Sequence, residues 1–126
     1  MISSIGSSLQ SVEELRADLE SHPERRDALF TPVEIAYCER KRYPVVHLAA
    51  RLAAKRAAYQ AIGIEEGPWL DVEVSNDTEG RPTIQFTGRV AELAVKGKLG
   101  RPLLSMSHTK ALAAAIVVFE SEPSSL

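Results

Sequence analysis

The chain of 126 residues is long enough for one domain with a modest hydrophobic core and too short for two. Its 15 basic and 17 acidic side chains leave a net charge of −2, which excludes a general attraction to nucleic acid, so that any basic site must be local. The single cysteine, the absence of an apolar run long enough to cross a bilayer and the lack of a secretory signal predict a cytoplasmic protein with no membrane partner.

The N-terminal part of the chain predicts a polar strand followed by a helix. Residues 7–11 are rich in serine, and this polarity predicts a first strand that is frayed or shifted. Ser11 can cap the helix that follows, because Glu14 lies where a capping box needs an acid. Residues 21–27 are highly charged and predict a loop or a frayed helix.

Two further helices have clear start signals. Residues 31–34, Thr-Pro-Val-Glu, predict a capped helix that runs to about Arg40. The longest helix is predicted from Pro44 to Ile62, because Gly63 is placed to end it. One face of this helix carries small apolar residues that allow another element to approach closely. A second row has side chains four residues apart: His47, Arg51, Lys55 and Tyr59.

The second half of the chain predicts an antiparallel sheet. Alternating apolar residues indicate four strands, at residues 70–74, 82–87, 103–107 and 111–120. Residues 76–80 predict a hairpin turn, and a short helix is predicted from Gly88 to about Lys98. The pattern is that of a single α+β domain over residues 1–120, followed by a disordered tail at residues 121–126.

Six stretches of the chain resemble, in order and spacing, the holo-acyl-carrier-protein synthase group of 4′-phosphopantetheinyl transferases. They are residues 29–38, 49–55, 69–74, 80–82, 105–109 and 113–120. The resemblance implies a long helix packed on an antiparallel sheet, and a homotrimer with sites between subunits. It also implies transfer of phosphopantetheine from coenzyme A to a serine of an acyl carrier protein.

The resemblance also implies a magnesium site, whose ligand positions are altered here. The family holds Mg²⁺ with the aspartate of a Gly-x-Asp strand and the glutamate of a Lys-Glu-x-x-x-Lys helix motif. In this chain Ser8 replaces the aspartate, Arg56 replaces the glutamate and Gln60 replaces the second lysine. A guanidinium about 4 Å from a divalent ion repels it by an energy on the order of several kcal/mol, and a hydroxyl is a poor ligand for a hard cation. These changes predict that the family's magnesium site is absent or weak.

The residues that the resemblance assigns to coenzyme A are retained. It places Arg51 and Lys55 along the phosphates, Pro82 beside the adenine, and His108 at the phosphates or their loop. Structural roles remain alternatives: a surface helix position for Arg51 and Lys55, and a satisfied structural histidine for His108. Arg56 either binds the pyrophosphate in place of the metal, or projects into solvent or pairs with an acid on a neighbouring subunit.

Other residues have simpler interpretations. Cys38 is expected to be a small buried hydrophobic residue, and Tyr37 and Trp69 are expected in the core. His22 and His47 are interpreted as surface residues.

The altered and retained positions together predict a catalytically deficient relative that still binds coenzyme A, an acyl carrier protein, or both. Two alternatives remain open. One is an active transferase that is slow or in which an arginine partly replaces the metal. The other is a structural or interaction trimer that has lost the ligand.

Overall fold

The computed structural model describes residues 1–121, and its α+β architecture is the predicted one. Its helices are α1 (Val12–Ser21), α2 (Arg25–Leu29), α3 (Pro32–Glu39), α4 (Pro44–Ile62) and α5 (Gly88–Lys96). Its strands are β1 (Ile2–Ser11), β2 (Val72–Asn76), β3 (Pro82–Phe86), β4 (Leu99–His108) and β5 (Leu112–Ser121). Strands β1, β5 and β4 form one antiparallel sheet in that order, and β2 pairs with β3 in a separate hairpin.

The polar first strand is complete. It pairs with β5 from Ile2 opposite Glu120 to Ser11 opposite Leu112, with one irregularity near Ser4. The prediction of a frayed or shifted strand was therefore wrong. The backbone ladder to β5 holds the strand, and the ladder does not depend on apolar side chains.

The long helix α4 lies across the sheet and separates two hydrophobic cores. Its C-terminal half packs on the hairpin and β5, while its N-terminal half packs among α1, α2 and α3. Its predicted bounds are confirmed, with Gly63 in the left-handed conformation at its end (φ 86°). Between Arg51 and Gln60, every residue is buried except Arg56 and Gln60.

The predicted close approach to the small-residue face of α4 is also confirmed. Gly6 of β1 lies directly against the helix backbone, and a Cβ atom at this position would lie 2.0 Å from the carbonyl oxygen of Ala57 and 2.8 Å from the amide nitrogen of Ala61. Only a glycine fits at this crossing of β1 over α4.

The predicted helix caps form as expected. Ser11 Oγ accepts a hydrogen bond from the Glu14 amide (3.1 Å). Thr31 Oγ1 accepts from the Glu34 amide (3.3 Å), while Glu34 Oε1 accepts from the Thr31 amide (2.8 Å), which completes a capping box.

Several predicted boundaries differ from the structure, most by one residue. Trp69–Asp71 forms a 3₁₀ turn, so β2 begins at Val72, and the Asp71 side chain accepts a hydrogen bond from the Arg89 amide. The short helix α2 begins within the segment predicted as loop or frayed helix and extends two residues beyond it. Strand β4 begins at Leu99, before a proline that obscures the alternation.

Two remaining expectations concern the chain as a whole. Ser121, which the prediction placed in the tail, is the last residue of β5, and residues 122–126 lie outside the described residues. No helix within residues 1–121 is both long and apolar enough to cross a membrane.

Candidate functional site

Arg51 is almost completely buried, with 2% of its surface exposed. One Nη2 hydrogen bond goes to Asn76 Oδ1 (2.9 Å), and the guanidinium lies 4.3 Å from the centroid of the Tyr37 ring. Its Nε is buried and has no hydrogen-bond partner among the described residues. The surface alternative for Arg51 is therefore wrong, and one donor of a buried charge is left for another partner.

Further basic side chains lie around the ring of Tyr37. Lys41 Nζ lies 4.6 Å from the ring centroid, and the His47 ring makes an edge contact with it at 6.5 Å. The His47 ring in turn meets the His108 ring at 4.9 Å. We call this group the Tyr37 cluster, and its members are Tyr37, Arg40, Lys41, His47, Arg51 and His108.

The Tyr37 cluster has a local excess of positive charge. No ion pair within residues 1–121 includes Arg40, Lys41 or Arg51, and the adjacent Glu39 pairs instead with Arg26 (2.5 Å). A cluster of cations without carboxylates suits an anionic ligand.

His47 is half-buried within this cluster, so it is a surface residue only in part. Burial lowers the pKa of its imidazole, and repulsion from His108, Arg51 and Lys41 lowers it further. His47 therefore stays neutral to a lower pH than an ordinary histidine.

Pro82 is connected to Arg51 through a third residue, Asn76. It is paired with Asn76 across the hairpin, and Asn76 is the residue that accepts from Arg51. Arg51 is thus connected to Pro82 through Asn76, while His108 reaches the Tyr37 cluster through His47, and the contacts of these residues with coenzyme A remain predictions.

Lys55, one turn further along α4, has hydrogen-bond and ion-pair partners that differ from those of Arg51. It is 0% exposed, and its Nζ lies 2.7 Å from Glu34 Oε1, 2.7 Å from the Leu29 carbonyl oxygen and 3.0 Å from that of Trp69. Burial lowers the pKa of Lys55, and the Glu34 carboxylate opposes this effect. With these acceptors around its ammonium, Lys55 presents no free donor to a phosphate in this arrangement, and the surface alternative is wrong.

Glu34 is the residue that the sequence did not single out for this role. Besides capping α3 and pairing with Lys55, its Oε2 accepts from the Val74 amide (2.8 Å). One carboxylate therefore joins α3, α4 and β2. The capping-box motif indicated its position on α3 but not its burial.

The three altered positions, Ser8, Arg56 and Gln60, line one cavity of about 470 Å³ between β1 and α4. Gln60 Oε1 accepts from the Ser7 amide (2.6 Å), and Arg56 Nη1 donates to Gln10 Oε1. These bonds join the helix directly to the strand across the altered positions.

Arg56 has two further neighbours. Its Nε lies 3.2 Å from Glu66 Oε1, and its guanidinium lies 5.9 Å from the Trp69 ring centroid. The guanidinium thus occupies the seam in which the resemblance implies a metal.

The three altered residues do not fit a magnesium ion, and of the two carboxylates that also line the cavity Glu65 is exposed and Glu66 pairs with Arg56. Ser8 and Gln60 are neutral, and Arg56 contributes a positive charge and only donors. Across residues 1–121, no three or more histidine, cysteine, aspartate or glutamate side chains come together in a way that could hold a metal ion.

Cys38 is completely buried, as predicted. Burial raises the pKa of its thiol to about 11, so it remains protonated at neutral pH. It is therefore a packing residue rather than a nucleophile.

Comparison with known proteins identifies the family to which the chain belongs. No family model matches it. The holo-[acyl-carrier-protein] synthase of Moorella thermoacetica is 36% identical over 118 residues, which cover 92% of each chain. The crystal structure of holo-[acyl-carrier-protein] synthase from Neisseria meningitidis has a TM-score of 0.86 at 25% identity, covering 96% of this chain and 100% of that one. The Bacillus anthracis synthase in complex with CoA (3′,5′-ADP) has a TM-score of 0.79 at 28% identity, covering 97% and 99%. This chain therefore belongs to the holo-[acyl-carrier-protein] synthase family.

Proposed function

We propose that the chain binds coenzyme A, an acyl carrier protein, or both, and is deficient in magnesium-dependent transfer of phosphopantetheine. The observation that carries coenzyme A binding is the Tyr37 cluster, which gathers cations without a carboxylate partner in the described part of the chain. Coenzyme A is a polyanion, and a guanidinium donates strong charge-assisted hydrogen bonds to phosphate. The Bacillus anthracis relative was solved with this ligand, which supports the same choice here.

Coenzyme A should bind with a measurable heat, and Arg51→Gln should weaken binding by about tenfold or more, because a charge-assisted phosphate contact is lost. Isothermal titration calorimetry measures both. Since Arg51 is buried, Lys41→Gln provides a second variant at an exposed position, with an expected loss of about threefold. Arg89→Gln on α5, an exposed arginine outside the Tyr37 cluster, is the matched control and should bind as the unaltered protein does. An unaltered protein that gives no heat with coenzyme A would favour the structural or interaction trimer.

Deficiency in the transfer step follows from the chemistry of the altered cavity. The reaction must activate a serine hydroxyl and neutralise charge on the departing phosphate. Ser8, Arg56 and Gln60 supply no carboxylate to hold a divalent ion or to accept a proton. The chain therefore retains cationic side chains that can bind coenzyme A but lacks the side chains that the transfer step requires.

Restoring the family's residues should restore the activity. The variant Ser8→Asp/Arg56→Glu/Gln60→Lys is expected to convert an apo carrier protein to its holo form in the presence of magnesium, whereas the unaltered protein is expected to give no product at a useful rate. Mass spectrometry detects the phosphopantetheine increment, and excess EDTA is the control. Rapid holo product from the unaltered protein would establish the active-transferase alternative. A triple variant that folds but never binds magnesium would show that these positions are misassigned.

The outer face of the three-stranded sheet supports a homotrimer as part of this proposal. Large apolar side chains lie on the face turned away from α4, where they are 40–65% exposed: Ile5, Leu9, Leu103, Leu112 and Ile116. An apolar patch of this kind is typical of a subunit interface.

Ile116→Lys should therefore dissociate the assembly to a monomer, because it buries a charge at the centre of this face. Sedimentation equilibrium measures the mass of the particle. Val95→Lys is the matched control, since Val95 is 71% exposed on α5 and lies off the sheet. A monomeric unaltered protein would contradict the trimer.

A further inference from the structure

We propose that Arg56 is an anion-binding residue that Glu66 masks in the free protein, and that the diphosphate of coenzyme A displaces Glu66 from it. This inference rests on the proposed function, because it assigns a ligand group to the altered cavity. It differs from the family's arrangement, in which the resemblance implies a divalent ion held by carboxylates. A fixed side-chain cation would take the place of the metal ion as the counter-charge.

The position of the guanidinium is fixed before any ligand binds. Arg56 Nη1 is tied to Gln10 on β1, and the guanidinium lies 5.9 Å from the Trp69 ring centroid. An arginine on a solvent-facing helix position normally samples many rotamers, and ordering it on binding costs free energy. The contacts to strand and ring remove much of that cost.

The remaining face of the guanidinium is incompletely satisfied. The Nε atom is buried and has no hydrogen-bond partner among the described residues, although Glu66 Oε1 lies 3.2 Å away, because the two groups are not aligned for a hydrogen bond. The Glu66 side chain is 52% exposed, whereas that of Arg56 is 35% exposed. A carboxylate held this loosely at the surface is readily replaced by a better-aligned anion.

The rest of the cavity offers hydrogen-bond donors. Ser8 contributes a hydroxyl group, and Gln60 uses its oxygen to accept from the Ser7 amide, which leaves its Nε2 group as a donor. A phosphate group has acceptor oxygens on all sides, so it complements these donors as a metal ion does not. The carboxylates that line the cavity, Glu65 and Glu66, are both exposed and can turn outwards.

The test measures binding in excess EDTA with two probes, inorganic pyrophosphate and coenzyme A. Trp69 is the single tryptophan and adjoins Arg56, so its fluorescence reports directly on this cavity, and calorimetry gives the affinities. Arg56→Gln should weaken the binding of both probes by about tenfold. Glu66→Gln should strengthen it several-fold, because the mask is removed. Glu65→Gln removes the same charge without an ion pair to Arg56, so it is the matched control and should change affinity less than about twofold.

Each other outcome contradicts a defined part of this proposal. If coenzyme A binds but Arg56→Gln binds equally well, or if binding requires magnesium, the inference is overturned while the proposed function stands. Equal gains from Glu66→Gln and Glu65→Gln would overturn the masking by Glu66. If the unaltered protein binds pyrophosphate through Arg56 but not coenzyme A, the anion site stands and the proposed function fails. Binding of neither probe overturns both.

Discussion

Gly6→Ala should destabilise the protein by at least about 3 kcal/mol or prevent folding, since overpacking of this severity exceeds the usual penalties. The added Cβ would lie 2.0 Å from the carbonyl oxygen of Ala57. The atoms that the Cβ would meet, on Ala57 and Ala61, belong to the backbone of α4. No side-chain rotation can therefore relieve the clash, and β1 would have to separate from α4. Urea denaturation monitored by circular dichroism measures the change.

Gly97→Ala is the matched control for this substitution. Gly97 has an ordinary φ of −76°, and the nearest atom to its added Cβ is 3.4 Å away. We expect a change within about 1 kcal/mol, of either sign. Similar losses from both alanine variants would mean that β1 does not cross α4 closely at Gly6.

Lys55→Met should destabilise the protein by about 3–5 kcal/mol, the usual cost of leaving one partner of a buried ion pair uncompensated. Methionine matches the lysine chain in length, so the loss comes from the charge. The variant leaves the Glu34 carboxylate buried without its cation, and the Leu29 and Trp69 carbonyl oxygens lose a donor. Chemical denaturation gives the free energy of unfolding.

A second substitution separates the charge from the hydrogen bonds. Adding Glu34→Gln to Lys55→Met removes the buried charge but keeps a side-chain acceptor for a backbone amide, so the double variant should be more stable than Lys55→Met alone. Lys98→Met, at an exposed position, should be close to neutral. A small effect of Lys55→Met, below about 1 kcal/mol, would contradict the buried ion pair.

The sequence predicted the elements whose signals are local. The Thr31 capping box, the proline and glycine that bound α4, and the hairpin turn all formed where their residues indicated, because each depends on a few neighbouring side chains. The strand β1 was misjudged, because its pairing with β5 connects residues more than 100 positions apart. Its polarity concealed a ladder that only the tertiary fold supplies.

The sequence predicted which residues share the candidate site, but it did not predict their burial or their hydrogen-bond and ion-pair partners. The altered positions do share one cavity, which their placement on strand and helix implied. The burial of Lys55 depends on Glu34, and the unsatisfied Nε donor of Arg56 depends on the geometry of Glu66. Such partners come from separate segments, and no spacing rule links them. For the same reason the histidine contact between His47 and His108 had no local signal.

The burial pattern of α4 bears on how a protein of this kind can change over time. Arg56 and Gln60 occupy the two positions between residues 51 and 60 that are not buried. Substitutions at such positions usually alter stability by less than about 0.5 kcal/mol. Reactive groups can therefore be lost by mutational drift while the scaffold, its solubility and its assembly stay intact. Selection or screening for a well-folded protein would be blind to that loss, and only a ligand or transfer assay would register it.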